Sequence, residues 1–222
     1  MKSTEQVTIE LFCGTKSFSK VADEHRLRTF TVDNDKKFLP DLCIDILELD
    51  YKQLPENCFI LWASPPCQTF SVASIGKHWQ ISGGVILPKT EKARDGLDIL
   101  AKTIEIIREL KPSYWFIENP RAMMRVVIPT LFKKYGLHWD LRATVTYCQY
   151  GDTRMKPTDI WTNCLKWNPR SACRNGDRCH QPAPRGTKQG TQGLKTSVER
   201  GVVPYQLCDE VISCCQEVME LV

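Results

Sequence analysis

"CFILWASPPCQTF", residues 58–70, decides how the rest of the chain is read. An apolar run breaks at Pro65-Pro66 and sets a thiol, Cys67, on the bend. Proline holds φ at about −65° and cannot donate to a sheet ladder, so the strand ends there and the next residues are held in a fixed direction. In open α/β sheets that position, beyond the carboxyl end of a strand, is where ligands bind. Cys67 is therefore a nucleophile, a metal ligand or a passenger, and its surroundings must choose.

Three other apolar runs behave alike. "VTIELF" (7–12) leads into "CGTKSFS", "RTFTVD" (28–33) into "NDKK" and "YWFIEN" (114–119) into "PRAMM". Each exit is polar or turn-forming, as strand ends are. Between 58–64 and 114–119 lies "EKARDGLDILAKTIEIIREL" (91–110), where Leu97, Leu100, Ala101, Ile104 and Ile107 form one apolar stripe at helical spacing. Strand, helix and strand predict a right-handed crossover in a parallel sheet, with both strand ends pointing the same way. The fold class is α/β with a mostly parallel sheet, and Cys67 and Glu118 face one crevice. "IGKHWQISGGVILPKT" (75–90) reads as a loop beyond Cys67, either mobile about Gly83-Gly84 or an ordinary surface connection. "PYQLCDEVISCCQEVMELV" predicts a closing helix packed through Leu207, Val211, Cys214, Cys215 and Val218.

At 222 residues the chain suits one domain with an insert. A net charge of +4 permits a nucleic-acid partner without demanding one. The start "MKSTEQVTIELF" lacks the apolar core of a signal peptide, and no apolar stretch is long enough to span a membrane. Eleven cysteines, odd in number and scattered, predict reduced thiols in a cytoplasmic protein. Gly14, at the end of the first run, marks either a cofactor-binding turn or a simple tight turn. Asp33 comes about 20 residues later, where a carboxylate grips ribose hydroxyls in nucleotide-binding sheets; a solvated loop acid is the alternative.

Together these residues resemble a known family. "ASPPCQTFS" (63–71) resembles the proline-cysteine-glutamine motif of the cytosine-C5 DNA methyltransferases, "FIENP" (116–120) their glutamate-asparagine motif and "ELFCGTKSFS" (10–19) their opening motif. "YCQYGDTRMKPTDIWTN" (147–163) is similar to their arginine-bearing strand pair. The resemblance implies a Rossmann-like, S-adenosylmethionine-dependent core over 1–163, a reduced recognition insert over 164–196, and a segment over 197–222 returning to the core. It implies Cys67 as the nucleophile that adds to C6 of a flipped-out cytosine, with Glu118 holding the N3 and N4 edge. Arg154 and Lys156 would lower the thiol pKa. Phe12, Gly14, Ser17, Asp33, Asp45 and Pro65 would line the cofactor site. Gln68, Ser71, Lys77 and Asn119 would support the nucleophile loop or contact DNA. Thr15, Lys16 and Ser17 stand where the family has glycines, which crowds the cofactor turn. The small size suggests a viral or mobile-element enzyme, acting as a monomer on double-stranded DNA. An RNA (transfer RNA) cytosine-5 methyltransferase and a catalytically silent nucleic-acid-binding relative are the competing readings.

The insert, "CLKWNPRSACRNGDRCHQPAPRGTKQGTQGLKT", carries its own constellation. Cys164, Cys173, Cys179 and His180 are either zinc ligands replacing a missing core or free thiols in a DNA-contacting loop. Lys166, Arg170, Arg174, Arg178, Arg185, Lys188 and Lys195 would supply phosphate contacts in either case. Large apolar side chains are few beyond Leu165, Trp167 and Leu194, so the segment needs help from metal, DNA or the core to become ordered.

Overall fold

A computed structural model describes residues 6–72, 74–83, 85–174, 176–182, 194 and 196–219. The first half runs β1 (Val7–Leu11), α1 (Ser17–Glu24), β2 (Arg28–Asp33), β3 (Leu42–Cys43), β4 (Cys58–Ala63), α2 (Ile75–His78), β5 (Trp79–Ser82) and β6 (Val85–Pro88). The second runs α3 (Glu91–Leu110), β7 (Tyr114–Pro120), α4 (Met124–Tyr135), β8 (Leu141–Thr146), β9 (Pro157–Thr162), α5 (Ser197–Gly201) and α6 (Tyr205–Met219). Seven strands form one sheet in the order β3-β2-β1-β4-β7-β9-β8. β3, β2, β1, β4 and β7 are mutually parallel, and β9 pairs antiparallel with both β7 and β8.

The expected crossover is present. α3 begins where the Thr90 hydroxyl accepts from the Ala93 N–H, a cap that satisfies one of the unpaired first-turn donors. Leu100, Ile104 and Ile107 are buried against the sheet, and Leu97 packs at the margin of the same core. α3 and α4 cover one face, with Leu11, Leu61, Ile117 and Phe132 between the layers. α1 and α6 cover the other, over Phe18, Trp62, Phe116, Leu207 and Val211. There Phe18 stacks on Trp62 with ring centroids 4.8 Å apart. The central strands β1 and β4 are buried along their whole length, so the strand exits are the open positions of the sheet.

Residues 75–90 differ from the expected loop. They form α2 and the antiparallel hairpin β5–β6, seated by Trp79. That indole is 4% exposed, lies against Phe70 and donates Nε1–H to the Thr69 carbonyl at 2.7 Å. Gly84 lies outside the described residues.

The stretch 147–163 also departs from a strand pair. β8 ends at Thr146, residues 147–150 form a 3-10 turn, and Arg154 and Lys156 lie on the connection into β9. The closing helix is as expected at Leu207, Val211 and Cys215, which are fully buried; the Val218 side chain lies outside the described residues.

The beginning of the insert finds its order on the core. Trp167, 2% exposed, meets Phe116 edge-on and donates to Glu210, while Leu165 stays in solvent. Cys164 does not join the other expected zinc ligands: it is buried against α6, with Cys214 Sγ 4.0 Å away. Arg170 is committed to Glu210, to Gln206 and to the Gln149 carbonyl, and is thereby removed from the expected phosphate contacts. Lys166, Arg174 and Arg178 are exposed; Arg185, Lys188 and Lys195 lie outside the described residues. All eleven cysteines are free, and among the described residues no helix is long and apolar enough to cross a membrane.

Candidate active site

A cavity of about 1420 Å³ opens across the carboxyl ends of β1, β2, β4 and β7. Its first half is built by turns. The Asp33 carboxylate, at the end of β2, accepts the Gly14 N–H and the Asp35 N–H, both at 2.9 Å. Gly14 sits at φ +46°, a conformation that costs glycine little. Asp45 caps its own turn by accepting from the Leu47 N–H at 3.0 Å and also lines the cavity. Phe12 and Pro65 complete this wall. Lys16, where the family has glycine, takes the left-handed conformation at φ 57° and donates Nζ–H to the Leu39 carbonyl. The Ser17 hydroxyl accepts the Val203 N–H at 3.2 Å, joining the start of α1 to the returning C-terminal segment.

The second half is built by side chains from distant elements. Cys67 tops a turn whose backbone is held at three carbonyls. Asn119 Nδ2 donates to Pro65 at 2.8 Å, Trp79 donates to Thr69, and the Met123 N–H donates to Phe70 at 3.0 Å. α3 passes so close that a Cβ on Gly96 would come within 2.8 Å of Thr69 Oγ1. Asn119, expected to support the nucleophile loop or contact DNA, holds this turn through Nδ2, and its Oδ1 is buried without a hydrogen-bond partner. Glu118, 5% exposed, accepts the Tyr147 hydroxyl at 2.8 Å, and Lys156 Nζ lies 3.9 Å from the same oxygen. Burial, and then Glu118 itself, hold the Tyr147 pKa well above its ordinary value, so the phenol stays a donor.

The expected lowering of the Cys67 pKa is not what the surroundings produce. Burial raises it, the Glu118 carboxylate raises it further, and Lys156 and Arg200 only partly offset them. Lys156 is itself pulled down by burial, a pull that Glu118 opposes. Arg154 contributes nothing direct. Its guanidinium is tied to Asp152 and to the carbonyls of Glu199, Arg200 and Val202, where it holds α5, part of the cavity wall, and the residue after it. Lys77, on α2, is exposed and outside the cavity wall, whereas Gln68 and Ser71 line it.

Arg200 and Glu10 line the cavity and carry no assignment from sequence. Arg200 arrives on α5 from far along the chain, and no local pattern marks it. Glu10 has a signal, a lone acid inside an apolar strand. It is buried, accepts the Phe18 and Ser19 N–H groups at the start of α1, and burial raises its pKa to about 7.

Comparisons with known proteins bear on the family and the fold. The family model for C-5 cytosine-specific DNA methylase matches residues 8–129. A probable DNA (cytosine-5)-methyltransferase of Frog virus 3 is 32% identical over 178 residues, 77% of this chain and 76% of that protein. A putative DNA modification methyltransferase encoded within an E. coli prophage superposes with a TM-score of 0.51 at 17% identity. That superposition covers 71% of this chain and 45% of that one, and it bears on the fold alone. The chain belongs to the C-5 cytosine-specific DNA methylase family of S-adenosylmethionine-dependent DNA (cytosine-5)-methyltransferases.

Proposed function

We propose that this chain methylates cytosine at C5 in double-stranded DNA through a covalent bond from Cys67 to C6 of the base. The observation that carries this reading is a thiol, a carboxylate and a buried ammonium (Cys67, Glu118 and Lys156) in one cavity with the strand-end acids Asp33 and Asp45. The cavity suits the cofactor. Each Asp33 oxygen holds one backbone N–H and keeps a lone pair for a ribose hydroxyl, and Gly14 leaves the neighbouring backbone bare. Asp45 would take the adenine amine, Phe12 would border the methionine end, and Pro65 would pack beside the cofactor. S-adenosylmethionine supplies an electrophilic methyl group.

C5 of cytosine is too weak a nucleophile to take that methyl unaided. Addition of the Cys67 thiolate to C6, with a proton delivered to N3 by Glu118, makes the ring enamine-like at C5. With the methyl group bonded to C5 and S-adenosylhomocysteine released, loss of the C5 proton to solvent, expulsion of Cys67 and return of the N3 proton to Glu118 would restore the aromatic ring. Glu118 and Cys67 oppose one another as anions. A proton from solvent shared between Glu118 and N3 of the bound base would neutralise that carboxylate, leaving Lys156 and Arg200 to favour the thiolate. The base must leave the duplex to reach the cavity.

Tritiated methyl transfer from S-adenosylmethionine to unmethylated duplex DNA, with transfer RNA as competitor, tests the reading. Label on cytosine C5 in DNA that persists against the competitor supports it. Label moving to the RNA favours the RNA enzyme, and label on neither favours the silent relative.

A further inference from the structure

The described residues contain one cluster of soft ligands away from the cavity. Cys148, Cys173, Cys179 and His180 place three Sγ atoms and Nδ1 within 4.8 Å of one another. Cys148 Sγ lies 3.2 Å from Cys173 Sγ and 3.6 Å from Cys179 Sγ. His180 Nδ1 lies 3.6 Å from both Cys173 Sγ and Cys179 Sγ. Zinc with bonds of about 2.3 Å to sulfur and about 2.0 Å to nitrogen has tetrahedral edges of about 3.8 Å between sulfurs and about 3.6 Å from sulfur to nitrogen. Four of the six edges, at 3.2–3.6 Å, already stand near these spacings.

We propose that Cys148, Cys173, Cys179 and His180 form a structural zinc site that fastens the insert to the connection between β8 and β9. Two features make it a built site. The backbone between the ligands is folded on itself, with the Arg174 N–H bonded to Asp177 and the Asp177 N–H bonded back to the Arg174 carbonyl. The loop is also docked on both sides of Cys148: the Cys173 N–H donates to Thr146 Oγ1 at 2.9 Å, and the Gln181 N–H to the Thr153 carbonyl at 2.9 Å. The adjacent pair Cys179-His180 can serve one metal because His180 presents Nδ1, the ring nitrogen nearer its own backbone.

The location gives the metal a role. Cys148 comes directly after Tyr147, whose hydroxyl holds Glu118, and the same connection carries Lys156 into the cavity. A tetrahedral clamp at Cys148 fixes this connection from outside the cavity. The ligand set is closed, so the metal is structural and takes no part in methyl transfer. Nothing in this inference depends on which nucleic acid is methylated.

Protein purified without chelator should carry about one zinc per chain by mass spectrometry. Cys148→Ser and Cys173→Ser should each lose most of it, whereas Cys164→Ser, outside the cluster, should keep it. Should a variant fail to fold, the wild-type chain still decides. Exchange with cobalt(II) should give the visible bands of a tetrahedral sulfur-rich site. Chelation should raise hydrogen exchange at 146–156 and 171–182 and leave β1 and β4 protected. Metal-free protein that is folded and protected at those segments overturns the proposal. So does a disulfide between Cys148 and Cys173 in reduced-buffer preparations, or zinc retained by Cys148→Ser.

Discussion

The two halves of the cavity are made differently. The cofactor half comes mainly from turns after β1, β2 and β3 within residues 12–45, joined by Pro65, and its hydrogen bonds run from backbone N–H to carboxylate. The base half draws Cys67, Glu118, Lys156 and Arg200 from four elements, and its character comes from buried charges acting on one another. The first half should therefore fail gradually under substitution. The second should fail steeply, because one charge alters the state of all the others.

Glu118→Gln breaks the comparison hardest. It removes the proton donor and should lower methyl transfer by roughly 10²–10⁴-fold. The same change removes an anion beside Cys67, so alkylation of the thiol by iodoacetamide should move to lower pH. Lys156→Ala removes a cation and should move it to higher pH. For the wild type the raised thiol pKa predicts that alkylation quickens as pH rises. Opposite shifts in the two variants, read from rate-against-pH profiles, would establish the coupling; shifts in the same direction would deny it.

Gly96→Ala tests the seat of the nucleophile turn without touching the cavity. Its Cβ would drive into Thr69 Oγ1, costing about 1–3 kcal/mol in denaturant melts and slowing methyl transfer, with cofactor binding unchanged. In the cofactor half, Asp33→Ala frees two backbone N–H groups and should weaken S-adenosylmethionine by about 1–3 kcal/mol in calorimetry. Smallest of all, Lys16→Gly relieves a left-handed side-chain residue and should change stability by no more than about 1 kcal/mol, with cofactor affinity equal or better.

Legibility in the sequence divides along the same line. The runs that form β1, β2, β4, α3 and β7 are readable because burial on the sheet faces and on one helix stripe leaves a local pattern. Cys67 and Glu118 are readable because each sits at the exit of such a strand. The hairpin within 75–90 is not, because its signal is Trp79, which packs on a residue outside the segment. Arg154 invites a role in tuning the thiol because its charge is visible in sequence, whereas its partners, three carbonyls near residue 200, are not. Cys164 stands in for Cys148 among the expected ligands for the same reason. Spacing within the insert cannot show that a turn after β8 lies against it.

The central claim is a covalent bond from Cys67, and DNA bearing 5-fluorocytosine tests it most directly. Fluorine at C5 cannot leave as a proton, so methyl transfer should stall at the adduct. Wild-type protein with S-adenosylmethionine should form a complex with the duplex that survives denaturing electrophoresis, and peptide mapping should place the bond on Cys67. Cys13→Ser should retain the complex and Cys67→Ser should abolish it. A complex that persists in Cys67→Ser would contradict the account.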